Sequence, residues 1–300
     1  MRKVQYDRFK GIEGIWVDEN ADAPEPTSNT VIARVQASCI NPGSVSALHG
    51  SEYVPIRDLA GTVISVGDNV NGIKVGDSVL GWAQDWSAHA ELVAVPGGQL
   101  VNKPNDLAWD VAGSLFVTPM AGLAAVDAVE PSEGELVVVA GATGGVGFTA
   151  AQLAKHRGAT VIGIASPTRA ELLRQHGIIP VAYDDSTEQN VRTAAEGSRI
   201  HAFIDTVGAD YLALAARLNV PAARIATVVN YKHAREFGAK AVGTMDAGGI
   251  AALTRLSKLA AIGLLNIPIA LTFPLREVQA AYRALASNRA VGRVVLHPQA

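Results

Sequence analysis

Three glycines, Gly141, Gly144 and Gly147, recur at three-residue spacing in the stretch AGATGGVG, with Thr143, Gly145 and Val146 between them. That spacing suits a loop that grips a diphosphate. One glycine lets the chain turn sharply, one lets backbone N–H groups come close to a pyrophosphate, and one lets a following helix pack tightly on the preceding strand. A helix starting near Val146 then turns its unpaired N–H groups and the positive end of its dipole toward the phosphates. Further on, where an NAD site carries an acid for the ribose hydroxyls, the chain reads GIASPTRAELL and has no carboxylate before Glu171. Ser166 and Arg169 stand there instead, and the guanidinium offers a fixed fork of donors to a 2′-phosphate. NADP(H) is therefore favoured over NAD(H). A plainer reading, in which Arg169 is a solvated helix-face charge and Ser166 an N-cap, is compatible with the same site.

The elements that must position these groups are legible around them. Val137 to Val139 form a β-branched run before the loop, an alanine-rich helical segment follows it, and a second apolar strand covers Thr160 to Ile164. From Glu135 to about Leu271 strands and helices alternate, which predicts parallel strands with right-handed crossovers, IPIALT at 267–272 being the last of them. Asn230, just past the fifth predicted strand, lies where the nicotinamide end of a dinucleotide should rest. Before this region, up to about Thr118, short β-rich runs separated by glycine, proline and aspartate predict a compact barrel-like domain. The closing segment from Pro274 predicts one amphipathic helix and a strand that return to that first domain. The expected division is 1–119 with 273–300, and 120–272.

Bulk properties narrow the class. Three hundred residues with 49% apolar content can build two cores, and a net charge of −3 without a basic run gives no footprint for nucleic acid or an anionic membrane. The start, MRKVQYDRF, lacks the apolar segment of a signal peptide, and no apolar run reaches the roughly eighteen residues of a membrane span. A cytoplasmic protein with small-molecule partners is expected. The single cysteine, Cys39, excludes an intrachain disulfide and a multi-cysteine zinc site, and reads as an inert core residue.

Several stretches together resemble the medium-chain dehydrogenase/reductase superfamily, and within it the zinc-free quinone oxidoreductases related to zeta-crystallin. They are ASCINPGSVSALHG (37–50), LAGTVISVGDNVNGIKVGDSVLG (59–81), AELVAVP (90–96), AGATGGVG (140–147), FIDTVG (203–208) and GRVVLHP (292–298). The resemblance implies an α/β protein made of a GroES-like β-rich domain and a Rossmann domain, acting as a homodimer. It also implies NADPH and a quinone or enone substrate, an activated C=C bond of an α,β-unsaturated carbonyl being reduced by hydride transfer. Asn41 would lie beside the nicotinamide, Tyr53 would reach the substrate as proton donor or orienting hydroxyl, and Tyr183 would match a tyrosine near the 2′-phosphate. Zinc-dependent relatives place a cysteine at Asn41 and a His-Glu pair at Arg57 and Asp58, so no metal is expected. Departures at Ser44, Ser46 and Ala124, and a short segment between Gly50 and Asp58, bear on the substrate.

Plainer roles stand beside these. Asn41 is also a turn residue before Pro42, Asp58 a turn cap, and His49 and His89 structural. Trp82 and Trp86 flank a loop that can either cover the cleft or pack in the core. Two other functions remain open: a non-catalytic NADPH-binding protein of the crystallin kind, and a zinc alcohol dehydrogenase.

Overall fold

The computed structural model describes residues 1–7, 10–47, 57–83, 87–287 and 291–300, so Tyr53, His49 and Trp86 lie outside the described residues. The chain forms two compact units. One comprises Met1–Val117, Gly249–Gly263 and Ile267–Ala300, the other Thr118–Gly248 and Leu264–Asn266.

The first unit begins with strands β1 (Lys3–Tyr6), β2 (Ile15–Asp18), β3 (Thr30–Ile40) and β4 (Arg57–Val66). It continues with β5 (Ser78–Ala83), β6 (Leu92–Pro96) and β7 (Leu100–Asn102). The second unit holds β8 (Leu136–Ala140), β9 (Thr160–Ala165), β10 (Ile179–Ala182), β11 (Ala202–Asp205), β12 (Ile225–Thr227) and β13 (Lys240–Ala241). The chain then returns to the first unit with β14 (Ile269–Pro274) and β15 (Arg293–His297).

In the first unit the order β14-β15-β3-β4-β5-β7, with β6 also paired to β3, makes a seven-stranded sheet. The eleven-residue β3 bonds β15 near its end and β6 near its start, so one long strand stitches two parts of the sheet. Inward-facing Val31, Val35, Leu59, Val63, Val79 and Val93 close an apolar interior. Trp82 stacks on Phe116, ring centroids 4.0 Å apart, and is therefore a core side chain.

The second unit is a parallel six-stranded sheet ordered β10-β9-β8-β11-β12-β13. Numbered within the sheet this is 3-2-1-4-5-6, the doubly wound Rossmann order. All five residues of β8 are buried, as expected of a central parallel strand covered on both faces.

The expected end of the second unit is corrected by the structure. The strand anticipated at 267–272 is β14, which pairs in parallel with β15 (Leu271↔Val294, Phe273↔Leu296) and not with the Rossmann sheet. The chain has already crossed at Gly249, because the helix Gly249–Ala261 packs on β7 and buries Ala252, Leu253 and Leu256 in the first unit. The sixth place in the parallel sheet goes to β13, two exposed residues with no apolar run to announce them.

Candidate functional site

The Rossmann order reverses between β8 and β11, and in open α/β sheets the carboxyl ends of the strands at such a point form the binding crevice. Three loops leave the sheet there, 140–147 after β8, 205–210 after β11 and 227–230 after β12.

The glycine loop is shaped by steric necessity. Gly141 sits at φ +73°, where L side chains are rarely found, and a Cβ there would meet Thr206 Oγ1 at 2.6 Å and Val207 Cγ2 at 2.8 Å. A Cβ on Gly147 would run into the carbonyl oxygen of Gly141 and the Thr206 hydroxyl. Gly144 takes the N-cap position of the helix Gly145–His156 and, lacking a side chain, supplies no cap. The first N–H groups of that twelve-residue helix have no intrahelical acceptor, and Gly144 and Gly145 are exposed. Thr143 and Val146 are half-buried beside them. Such an uncapped helix start, preceded by a glycine turn, suits a diphosphate.

The other two loops are wired to this one. The Thr206 hydroxyl donates to the Ala140 carbonyl at 2.7 Å. Asp205, fully buried, accepts the N–H groups of Val207 (2.9 Å) and Gly208 (2.8 Å) on Oδ1 and the Thr227 hydroxyl (2.8 Å) on Oδ2. Thr227 Oγ1 in turn accepts the N–H groups of Val229 (3.3 Å) and Asn230 (3.0 Å). Asn230 is part of this cluster. Its amide donates to the Ala209 carbonyl at 3.4 Å and its Oδ1 meets a ring nitrogen of His233 at 2.8 Å.

Ser166 and Tyr183 follow neighbouring strand ends one strand further out, and Arg169 ends the short helical turn Pro167–Arg169 that follows Ser166. β9 and β10 run in parallel with Ala165 opposite Ala182, and the Tyr183 N–H donates to the Ala165 carbonyl at 3.2 Å. Ser166 and Tyr183 therefore emerge from neighbouring strand ends, and Tyr183 is 58% exposed. Ser166 occupies an N-cap position, as the plainer reading has it, yet its hydroxyl bonds to that of Thr168 (2.9 Å) and not to the backbone. The acid that follows, Asp184, is committed to the start of the helix Thr187–Ala194, accepting from Ser186 N–H at 2.8 Å and the Asn190 amide at 3.3 Å.

Asn41 belongs to the first unit. It is 2% exposed, its Nδ2 donates to Asp58 Oδ2 at 2.6 Å, and its Oδ1 accepts from the Arg293 guanidinium. Asp58 is not the simple turn cap expected of it. Its Oδ1 accepts the N–H groups of Phe116 (2.6 Å) and Val117 (2.9 Å), where the helix Val117–Val129 begins. Burial pushes the Asp58 carboxyl up, while Arg293, the Asn41 amide and those two N–H groups pull it down. Each of these hydrogen-bond partners is a donor, so the arrangement is built for the carboxylate. Cys39, also buried, has its thiol pushed up by burial and is a core residue, as expected. Next to it in the chain, Ser38 donates to the Asp58 carbonyl at 2.7 Å and lies 2.8 Å from His89 Nδ1. With its only proton spent on the carbonyl, Ser38 accepts from His89, and Nδ1 carries the ring proton.

These residues do not fit a zinc ion. No group of three His, Cys, Asp or Glu among the described residues could hold a metal. At the positions compared with zinc ligands, Asn41 and Asp58 already spend their polar atoms on each other, on Arg293 and on backbone N–H groups.

Asp205, Thr206, Thr227 and Arg293 are organising residues that the sequence pattern leaves unassigned, and Asp58 is another, for which it suggested only a turn cap. One signal was available. Asp58 leads into the largely apolar run 59–66 and Arg293 opens the strand RVVLH, and a buried charge in such a place requires a partner.

Comparison with known proteins agrees with this architecture. Residues 27–105 match the alcohol dehydrogenase GroES-like domain family and residues 176–296 the zinc-binding dehydrogenase family. The mouse quinone oxidoreductase is 30% identical over 186 residues, covering 59% of this chain and 56% of that protein. A 2-methylene-furan-3-one reductase of Solanum lycopersicum is 29% identical over 198 residues, covering 59% of this chain and 50% of that protein. The chain thus spans about half the length of these curated relatives. The structure of the quinone oxidoreductase from Coxiella burnetii superposes with a TM-score of 0.86 at 26% identity, over 99% of both chains. No helix among the described residues is long and apolar enough to cross a membrane. A GroES-like unit and a Rossmann unit in one chain are the architecture of the medium-chain dehydrogenase/reductase superfamily, and the chain is similar to quinone oxidoreductases of that superfamily.

Proposed function

We propose that this protein is an NADPH-dependent oxidoreductase that reduces quinones, or the activated C=C bond of α,β-unsaturated carbonyl compounds, without a zinc ion. The observation that carries the proposal is the set of cross-bonded loops after β8, β11 and β12, next to an uncapped helix start. Gly141 to Gly147 would hold the diphosphate, and the loop at 228–230 the nicotinamide end. Ser166, Arg169 and Tyr183 would hold the 2′-phosphate, since no carboxylate follows the end of β9 before Glu171 to take a ribose hydroxyl. When bound, the dihydronicotinamide supplies the hydride, and the protein supplies position. The substrate class is supported by relatives named for quinone and 2-methylene-furan-3-one reduction. The product oxygen takes its proton from a hydroxyl or from water, a role for which Tyr53 is the candidate side chain. Hydrogen-bond commitments at Asn41 and Asp58 support a zinc-free reaction.

The test is oxidation of NADPH, followed by its absorbance, against a panel of quinones and enones. Turnover with at least one class is expected, and silence across the panel would refute the reductase. Arg169→Ala is expected to raise KM for NADPH about tenfold, the worth of one charge-assisted hydrogen bond, and to leave KM for NADH within about twofold. Equal effects on both coenzymes would remove Arg169 from the 2′-phosphate site.

A further inference from the structure

We propose that Asp205 and Thr227 are positioning residues that make the loops after β11 and β12 order as a single unit; the coenzyme consequence rests on the reading given under Proposed function. Asp205 is fully buried, and the groups bonded to its carboxylate are the N–H groups of Val207 and Gly208 and the Thr227 hydroxyl. Thr227, also fully buried, has a hydroxyl that donates its proton to Asp205 and accepts the N–H groups of Val229 and Asn230. One oxygen atom therefore stands between the turn of one loop and the turn of the other. Two further bonds close the ring: Val228 N–H to the Asp205 carbonyl at 3.1 Å, and the Asn230 amide to the Ala209 carbonyl. Thr206, between Asp205 and the two residues whose N–H groups it fixes, bonds the Ala140 carbonyl and occupies the space a side chain at Gly141 would need.

The chemistry makes the arrangement strict. A buried carboxylate oxygen left without one of its donors is costly, so releasing one loop weakens the anchor of the other. Neither residue is assigned a contact with the coenzyme. They act by setting the direction of the loop N–H groups before anything binds, which lowers the ordering cost of binding.

Thr227→Val keeps the shape of the side chain and removes both the donor and the acceptor. In the coenzyme-free protein, amide hydrogen exchange is expected to accelerate over 206–209 as well as over 228–230, although the substitution lies in neither segment. Thr227→Ser is expected to restore protection in both. Calorimetric titration should show NADPH and NADH weakened to a similar extent in Thr227→Val, about tenfold. Acceleration confined to 228–230, or no rescue by serine, would overturn the coupling. If Thr227→Val does not yield folded protein, Thr227→Cys, with a weaker donor of similar size, carries the same comparison. The exchange measurement needs no coenzyme, so it decides the coupling even if the wild type binds neither nucleotide, a result that would sink only the functional reading.

Discussion

Asp58→Asn is expected to lower the unfolding free energy of the first unit by about 3–5 kcal/mol, the range found when one member of a buried charge pair is removed. The carboxylate now receives three hydrogen bonds, from Asn41, Phe116 and Val117, and Arg293 is held beside it through the Asn41 amide. An asparagine has one acceptor atom in place of two, so its amide group must face another donor, either Asn41 Nδ2 or the N–H groups at 116 and 117. The buried Arg293 also loses its countercharge. Tryptophan fluorescence during urea unfolding reads the effect where it occurs, because all four tryptophans, Trp16, Trp82, Trp86 and Trp109, precede residue 118. Arg293→Met should cost a comparable amount, since it leaves Asp58 buried without its cation. The double variant Asp58→Asn/Arg293→Met should then be much more stable than the sum of the single losses implies. Additive losses would show that the two charges do not act together.

Gly147→Val is expected to weaken coenzyme binding about a hundredfold, the scale set by displacing a binding group by roughly an ångström. Even the first carbon of the new side chain would collide with the Gly141 carbonyl and the Thr206 hydroxyl. Relief requires the helix Gly145–His156 to lift from the loop, which moves the N–H groups meant for the diphosphate. The same collision breaks the contact between the glycine loop and 205–208, so some loss of stability, about 1–3 kcal/mol, accompanies it. Gly72→Ala is the control: that residue has a left-handed φ of +79° but nothing within 4 Å of an added Cβ. It should cost about 1–2 kcal/mol of stability through its left-handed backbone and leave coenzyme affinity unchanged. The comparison is made by titrating NADPH into each variant.

The parts of this fold that were legible in the sequence are those where the pattern is local. Val137 to Val139, the glycine loop and the following alanine-rich helix sit next to one another in the chain, and each favours the conformation it adopts. Ser166 and Arg169 could be picked out because they directly follow the second strand of the unit, whereas Tyr183 was singled out only by resemblance to the family. The partner of β14 could not be read this way. IALTFP suits a strand in either unit, and what decides is that β15 offers it an edge. β13 is only two residues long and has no pattern at all. The buried polar clusters were hidden for a different reason. Asn41 and Arg293 lie 252 residues apart, and Asp205 was visible only as the end of an apolar strand. Nothing in a single sequence tells which carboxylate a distant guanidinium or hydroxyl will meet.

A dinucleotide held by the loops at the carboxyl ends of β8, β11 and β12 is tested most directly by isothermal titration calorimetry of the intact protein. NADPH is expected to bind at one site per chain, about tenfold or more tighter than NADH if Ser166, Arg169 and Tyr183 receive the 2′-phosphate. Absence of saturable binding for both nucleotides would contradict it.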